Sequence, residues 1–261
     1  MKKFLKRFKH LEKIKGLIIF IVIIILWKIC TEIRIWSSFI LPPPERVLET
    51  FVNEVEDGTL FIDIISSMRR VLIGFGVSAV LGIPLGIFFG IHKNTYAYFK
   101  SLIDFLRNTP PLALIPMLIL WFGIGEKSKI IVIILASFFP IFTSTLKGIR
   151  NCDSKLIEVG EIFELSQREI IFKIIIPSSL LDIAVGLKLA LGYSFRAIIG
   201  AELIAASSGL GSMISDGKEM SRTDIVIVGI IVIGALGIFV DWIFSKLVNK
   251  VAKGKEDETY D

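Results

Sequence analysis

Long apolar blocks, separated by short polar stretches, make up most of this chain. Each block approaches or exceeds the roughly 20 residues that a helix needs to cross a bilayer. The run Ile18–Trp27 lacks the alternation of a membrane β-strand, and backbone groups in lipid must bond within their own segment. The pattern therefore predicts an all-α membrane protein with about six transmembrane helices. The predicted spans are Gly16–Ile35, Ile64–Ile91, Leu102–Ile124, Ile130–Ile149, Ser178–Ala205 and Ile225–Val248.

Three prolines interrupt the third block, at Pro110, Pro111 and Pro116. Proline removes a backbone donor and kinks a helix. Membrane helices tolerate it where neighbours or a cavity satisfy the freed groups. We therefore expect this span to be kinked.

Composition and charge fit the same interpretation. Hydrophobic residues make up 53% of the 261 positions, and the net charge is +5. The basic residues flank the apolar blocks, where they orient a membrane protein, so we expect no nucleic-acid binding. Most of them fall on the N-terminal side of the membrane, which predicts that both termini are cytoplasmic. We divide the chain into a basic tail (1–15), a first transmembrane helix with an outer connector (16–60), the main transmembrane domain (61–250) and a disordered cytoplasmic tail (251–261).

A polar segment with helical patterning, 151–177, lies between the fourth and fifth spans, on the side assigned to the cytoplasm. Asp153 or Ser154 can cap its first turn. Glu158, Glu161 and Glu164 are spaced three apart, so they lie near one another on a helix surface. The segment is either a solvated loop helix or a surface that another protein binds. Its length and position favour the second interpretation.

A second helical run, Gln167–Ile176, is expected to end at Pro177, where the next span starts. The whole segment resembles the cytoplasmic loop of binding-protein-dependent ABC importer permeases. That motif is Glu-Ala-Ala, a glycine, and then Ile-x-Leu-Pro at fixed spacing. Glu158 takes the first place and Pro177 the last. The departures are Val159 and Gly160 for the two alanines, Glu164 for the glycine and Ile176 for the leucine.

Other stretches resemble the same family, and its nitrate, sulfonate and taurine branch in particular. The similarity covers the chain from about residue 40 to about residue 248. The stretches that carry it are Ile40–Pro44, Ser67–Phe75, Arg107–Pro116, Trp121–Gly125, Ala201–Ile204, Ser207–Gly211 and Arg222–Asp224.

The resemblance implies a type I importer permease fold and a multi-pass subunit of the cell membrane. It implies two copies of a cytoplasmic ABC ATPase, an extracytoplasmic solute-binding protein and a second permease subunit, identical or paralogous. ATP and Mg²⁺ would be bound by the ATPase, and this chain would need no cofactor. In the family a short cytoplasmic helix, the coupling helix, docks on the ATPase. The residues implied here are Glu158, Glu161, Glu164, Leu165 and Ser166.

Glu164 occupies a position where a glycine would permit φ > 0, which glutamate disfavours. We therefore expect either a less sharply broken coupling helix or a partner surface adapted to the change.

Three charged residues, Lys188, Arg196 and Glu202, fall in or near the fifth span. On a helix they lie within an arc of about 120°, a face that lipid would penalise. They predict a polar lining of the translocation path, with Arg196 favouring an anion. Alternatively, Lys188 extends its ammonium group to the interface and Glu202 forms a structural ion pair.

Small residues recur at intervals of four in the second span, at Ser78, Gly82, Gly86 and Gly90. Small residues on one face allow two helices to approach closely. This row of small residues has two possible explanations. One is plain packing between helices, and the other is a sliding or dimer interface of the pore.

The chain lacks the motifs of several catalytic classes. It has no Gly-x-x-x-x-Gly-Lys-Ser/Thr phosphate loop and no His-Glu-x-x-His motif. Cys30 and Cys152 have no metal-ligand spacing. We expect neither a catalytic nor a metal site. The solute would be a small anion such as a sulfonate, nitrate or taurine. The alternatives are a heterocyclic vitamin precursor as solute, a membrane-embedded lipid-modifying enzyme, or a scaffold that does not transport.

Overall fold

The computed structural model of the chain describes residues 18–205 and 207–257, and within those ranges it contains helices and turns but no strand. The helices are α1 (18–32), α2 (Pro44–Glu56), α3 (Thr59–Ile91), α4 (Lys93–Asn108), α5 (Ile115–Phe122), α6 (Glu126–Arg150), α7 (Ser154–Ile162), α8 (Gln167–Ile170), α9 (Ile176–Ala205), α10 (Leu210–Glu219) and α11 (Thr223–Asp257). A 3₁₀ turn, Pro111–Leu114, precedes α5, and a π-helical turn, Ile171–Ile175, precedes α9.

Four of the six predicted spans correspond to helical stretches long and apolar enough to cross a membrane, and a fifth is counted if the bent pair in the third block forms one span. The four stretches are Thr59–Ile91, Glu126–Arg150, Gln167–Ile204 and Thr223–Lys246. The predicted first span begins at Gly16, outside the described residues, and its described part is helical from 18 to 32. The basic tail 1–15 also lies outside them.

The third predicted span is not one kinked helix. Lys93–Asn108 and Pro111–Phe122 meet at 82°. Thr109 and Pro110 have extended ψ angles of 120° and 121°, because a residue before proline is disfavoured in the helical region. The paired prolines therefore turn the chain sharply where we had expected a kink.

The last helix is longer than the predicted sixth span. α11 continues to Asp257 and so extends into the segment 251–261, and the division of the chain into domains stays a prediction. Residues 258–261 lie outside the described chain.

The chain divides into two compact units. The smaller holds the described residues up to Phe61 together with Met213–Val232, and the larger holds Ile62–Ser212 and the chain from Ile233 onward. In the smaller unit the buried Asp224 accepts hydrogen bonds from Thr50 at 2.7 Å and from Arg222 at 2.6 Å. These bonds fix α2 against the start of α11.

In the larger unit, α3 and α6 pack side by side through the row of small residues. A Cβ added at Gly82 would come within 3.1 Å of Ile141, and one added at Gly86 or Gly90 within 2.6 Å of a side chain of α6. Ser137 donates a hydrogen bond to Ser78 at 2.7 Å. The matched pairs are Gly74–Ile133, Ser78–Ser137, Gly82–Ile141, Gly86–Thr145 and Gly90–Ile149. In these pairs the residue numbers of α3 and α6 increase together, so the two helices run parallel. Packing of α6 against α3 within the chain accounts for the row of small residues.

Helix α9 packs antiparallel to α6 in the same unit. Gly148 of α6 lies against Ser179, and Gly186 of α9 lies against Ser144. The two helices share a core with α3 whose buried members are Val71, Ile133, Leu191 and Ile198. This packing sets the orientation of α9, which carries the three charged residues of the fifth span.

Candidate functional site

The coupling segment, residues 153–177, begins with the predicted cap. Asp153 is extended and its Oδ1 accepts a hydrogen bond from Lys155 N at 3.0 Å. Helix α7 then runs from Ser154 to Ile162. An N-cap carboxylate satisfies a free donor of the first turn and helps to start a helix that is too short to be stable alone.

Glu164 lies outside the helix, in the left-handed region with φ 53°. Its N–H bonds to Glu161 O at 2.9 Å, and Leu165 N–H bonds to Gly160 O at 3.0 Å. These two bonds form the Schellman motif that ends many helices, usually with glycine in the left-handed position. The expectation of a less sharply broken helix is therefore wrong, since the hydrogen bonds and the packing of Leu165 outweigh the cost of φ > 0 for a glutamate.

Gly160 makes the turn compact. A Cβ at this position would come within 2.6 Å of Ile174 Cδ1 and 3.3 Å of Ile170 Cγ1. Gly160 therefore lets the second half of the segment fold back onto α7. The substitution of glycine for a family alanine has a packing explanation.

Ser166 caps the second half of the segment. Its hydroxyl accepts from Glu169 N, while the Glu169 carboxylate accepts from Ser166 N at 3.0 Å. The reciprocal pair is a capping box. Ser166, predicted as a coupling residue, thus has a structural role in starting α8.

Pro177 does not end the second helical run. It lies in the first turn of α9, directly after the π-helical turn Ile171–Ile175. A π turn has i→i+5 hydrogen bonds, which shift the backbone hydrogen-bond register. The missing N–H of Pro177 therefore falls in the first turn of α9. The helix continues through this point into the span.

The outer surface of the coupling segment combines apolar and acidic side chains. Ile162 is 78% exposed and Phe163 is 74% exposed. Within the described residues, Glu158, Glu161 and Glu164 form no ion pair. Large apolar side chains at the tip of a polar segment are characteristic of a protein-binding surface. We call this surface, Leu156, Glu158, Val159, Glu161, Ile162, Phe163 and Glu164, the coupling surface.

The second part of the site is the charged face of α9, and the structure does not group its three residues together. Lys188 pairs with Asp241 of α11, with Nζ and Oδ1 3.3 Å apart. Glu202 is 1% exposed and is bonded to the Arg70 guanidinium. Arg196 is exposed and has no ion pair among the described residues.

Glu202 belongs to a buried network that sequence reasoning did not find. Its carboxylate accepts hydrogen bonds from Ser67 at 2.9 Å, from Arg70 at 2.5 Å and from the Gly211 N–H at 2.9 Å. The Arg70 fork also meets both oxygens of Glu126, at 2.7 Å and 2.8 Å. A charged residue inside an apolar span indicates that it has polar partners, but the sequence does not show which other span supplies them. This geometry favours the structural ion pair as the role of Glu202.

Arg196 lines a cavity of about 450 Å³ between α4, α6 and α9. Its guanidinium carbon lies 5.7 Å from the centre of the Tyr193 ring. Arg107, at the end of α4, lines the same cavity, and sequence reasoning did not single it out as a site residue. No cluster of three or more His, Cys, Asp or Glu in the described chain could hold a metal ion.

Comparison with known proteins agrees with this geometry. Residues 82–253 match the family described as binding-protein-dependent transport system inner membrane component. The chain is 38% identical to the putative aliphatic sulfonates transport permease protein SsuC of Bacillus subtilis, over 92% of this chain and 87% of that one. It is 32% identical to the taurine transport system permease protein TauC of Escherichia coli, over 84% and 82%.

The fold is also known from experiment. An inward-facing structure of the MetNI methionine ABC transporter aligns with 76% of this chain and 98% of its own, at a TM-score of 0.67 and 14% identity. At that identity the likeness concerns the fold alone. The family match and the relatives nevertheless cover most of the sequence. The chain therefore belongs to the family of binding-protein-dependent transport system inner membrane components, the permeases of ABC importers.

Proposed function

We propose that this chain is the transmembrane subunit of an importer for a small organic anion, with a sulfonate or a taurine-like molecule as the solute. The names of the two relatives support this solute class, and so does the uncompensated charge of Arg196. The solute would be delivered by an extracytoplasmic binding protein. ATP and Mg²⁺ would be bound by two cytoplasmic ATPase subunits, so that this chain performs no hydrolysis.

The observation that carries the proposal is the coupling surface. Its backbone is held by two caps and a Schellman motif, while its large apolar side chains remain exposed. Folding has thus fixed the shape of the segment without burying its outer face. That combination suits a docking element, which needs a rigid shape and an apolar surface for its partner.

The docked segment can transmit work because α8, the π-helical turn and α9 form one continuous helical stretch, Gln167–Ile204. A displacement of the coupling surface is therefore passed to the span that carries Arg196. ATP binding can bias the conformation only through contacts that differ between the two states of the complex. The coupling surface is the part of the chain where such contacts would form.

The position of Arg196 supports a second permease subunit. An unpaired guanidinium that faces lipid within a span is costly. A second copy of the chain or a paralogue, placed against this face, would enclose the solute path and leave Arg196 in a polar environment. The assignment of both termini and the coupling segment to the cytoplasm is part of the same proposal.

Docking is tested by co-purifying the membrane complex with its ATPase after substitution of Ile162→Asp and Phe163→Asp. We expect ATPase recovery and solute-stimulated ATP hydrolysis to fall by at least about tenfold, because two apolar side chains that docking would bury are lost. Met220→Asp is the matched control, since Met220 is 69% exposed in the other unit. Equal recovery from both variants would refute docking through this surface.

Orientation is tested separately with a single thiol. With Cys30 and Cys152 replaced by serine, Glu161→Cys should react with an impermeant maleimide in inside-out vesicles and not in right-side-out vesicles. The opposite labelling would place the segment outside and remove the proposed coupling role.

A further inference from the structure

The cavity that contains Arg196 has a lining divided into two chemically different parts. Its polar side chains are two arginines and four hydroxyl groups: Arg107, Arg196, Thr109, Thr143, Ser144 and Tyr193. The remaining residues are apolar, with Leu112, Leu135, Phe139 and Leu189 as the large members. Among the described residues that line it there is no carboxylate. The cavity is therefore cationic on one part of its wall and hydrocarbon on the rest.

The two arginines differ in how their charge is compensated. Arg107 has one partner, Asp104, one helical turn away at 3.2 Å, in an exposed pair. Arg196 has no ion pair within the described chain, and its guanidinium carbon lies 5.7 Å from the centre of the Tyr193 ring. A guanidinium keeps its charge at any physiological pH and binds oxyanions through two parallel N–H bonds. The cavity therefore holds one guanidinium that is paired with a carboxylate of its own helix and one, that of Arg196, without an ion pair in the described chain.

The break between α4 and the following 3₁₀ turn brings the first arginine to the cavity. Helix α4 ends at Asn108, and the chain turns by 82° at Thr109 and Pro110. Arg107 and Thr109 on one side of the turn, and Leu112 on the other, all line the cavity. The paired prolines thus join a polar and an apolar part of the wall.

We propose that this cavity is a solute site within the permease, selective for an anion with an oxyanion head and a short hydrocarbon tail, such as an alkanesulfonate. The head would bind Arg107 and Arg196, with the hydroxyls of Ser144 and Tyr193 as further donors, because the hydroxyls of Thr109 and Thr143 already donate to the carbonyls of Phe105 and Phe139. The tail would lie against Leu135, Phe139 and Leu189. A volume of about 450 Å³ falls within the usual range for small-molecule sites. The inference rests on the proposed function and adds that the permease itself selects among anions.

The first test measures hexanesulfonate uptake by the complete complex in proteoliposomes, with permease, ATPase and loaded binding protein. Arg196→Gln and Arg107→Gln should each reduce uptake by at least about tenfold, because a charge-assisted bond to the head is lost. Lys100→Gln is the matched control, as an exposed cation of α4 that does not line the cavity. ATPase co-purification should be the same for all three variants. Unchanged uptake in both arginine variants would overturn the site.

The second test concerns the tail and separates a binding site from a folding defect. Leu189→Phe should lower uptake of hexanesulfonate relative to methanesulfonate, because it fills the apolar part of the cavity. Leu180→Phe, the same change on the same helix at a similarly exposed position outside the cavity, should leave that ratio unchanged. An equal ratio in both variants would refute the tail contact.

Direct binding distinguishes failure of this inference from failure of the proposed function. Equilibrium binding of hexanesulfonate is measured on the purified permease–ATPase complex without binding protein. If the wild-type complex binds but does not transport it, the proposed import of sulfonates is wrong and the anion site stands. If the complex transports hexanesulfonate and the arginine variants bind it as the wild type does, the import function stands and the site is wrong. Absence of binding to the wild-type complex would also overturn the site.

Discussion

Two charged residues of α9, six positions apart, have opposite surroundings. Glu202 is buried, and its carboxylate accepts hydrogen bonds from a hydroxyl, a guanidinium and a backbone N–H. Arg196 is exposed and has no ion pair in the described chain, and its guanidinium lies over the Tyr193 ring. Both are charges in an apolar span, and the sequence predicts a path role more strongly for Arg196 than for Glu202, which has a structural ion pair as its alternative.

The difference shows how a charge within a membrane span can be interpreted. A charge whose hydrogen-bonding capacity is filled by the chain contributes to the fold, and its cost is offset locally. A charge without such partners implies a partner outside the chain, because lipid does not tolerate it. On this criterion we assign Glu202 to the scaffold and propose Arg196 as a residue of the solute path. Lys188, paired with Asp241 at a partly exposed position, lies between the two cases.

The largest expected effect is the loss of Arg70. Arg70→Ala leaves Glu202 buried without its cation and frees Glu126, so we expect the free energy of unfolding to fall by about 3–5 kcal/mol. Denaturation of the purified complex measures the change. Arg69→Ala is the control, because the neighbouring arginine is exposed. Equal stability of the two variants would mean that the network is not part of the scaffold.

A smaller loss of stability is expected at Gly209, in the loop that packs against Arg70 and Glu202. Gly209 has φ 116°, and a Cβ there would come within 2.7 Å of Arg70 Nη1 and 2.5 Å of Glu202 Cδ. Gly209→Ala should cost about 1–3 kcal/mol from overpacking in addition to backbone strain. Gly58→Ala is the control for strain alone, since Gly58 has φ 76° and open space around it. If both alanine variants lose the same stability, the close packing around Glu202 has no energetic weight.

Glu164 combines a strained backbone with an exposed side chain. It therefore tests whether a residue that lowers the stability of the coupling segment also contributes to ATPase docking. Glu164→Gly should raise the stability of the segment by about 1 kcal/mol, because the left-handed conformation costs glycine nothing. Glu161→Gly, within α7, should lower it by about the same amount. Hydrogen exchange of residues 154–170 measures both. A stabilised segment with weaker ATPase docking would place Glu164 with Arg196 among the functional residues.

The smallest expected change in stability is at Arg196 itself. Arg196→Gln should change the free energy of unfolding by no more than about 0.5 kcal/mol, as is usual for exposed positions without specific contacts. The same denaturation experiment used for Arg70→Ala applies. A loss of several kcal/mol would show that Arg196 has a structural partner and would end its contrast with Glu202.

Apolar length and helix caps were the features that the sequence predicted well. The spans α3, α6, α9 and α11 were found because each is a long apolar run, and Asp153 was found because its side chain bonds locally. Glu164 was judged wrongly, since the preference of a single residue was weighed without the two hydrogen bonds that hold the turn. Pro177 was taken as a helix end because sequence gives no sign of the π turn before it.

Contacts between distant spans could not be predicted. The partners of Glu202 lie more than a hundred residues away in sequence, at Ser67 and Arg70, and their pairing depends on how α3 and α9 pack. Arg107 was not singled out as a site residue, because it fell inside a block that was taken for one kinked span. Only the break at Pro110 shows that it lines the same cavity as Arg196.

The row of small residues that joins α3 to α6 has a mechanical consequence. Contacts recur every four residues on both helices, so the two helix surfaces interlock at a regular spacing. A slide of one helix past the other restores the fit only after about 6 Å, the rise of four residues. Smaller displacements would drive methyl groups into backbone. We therefore expect the packed pair to resist sliding of α3 against α6 during transport.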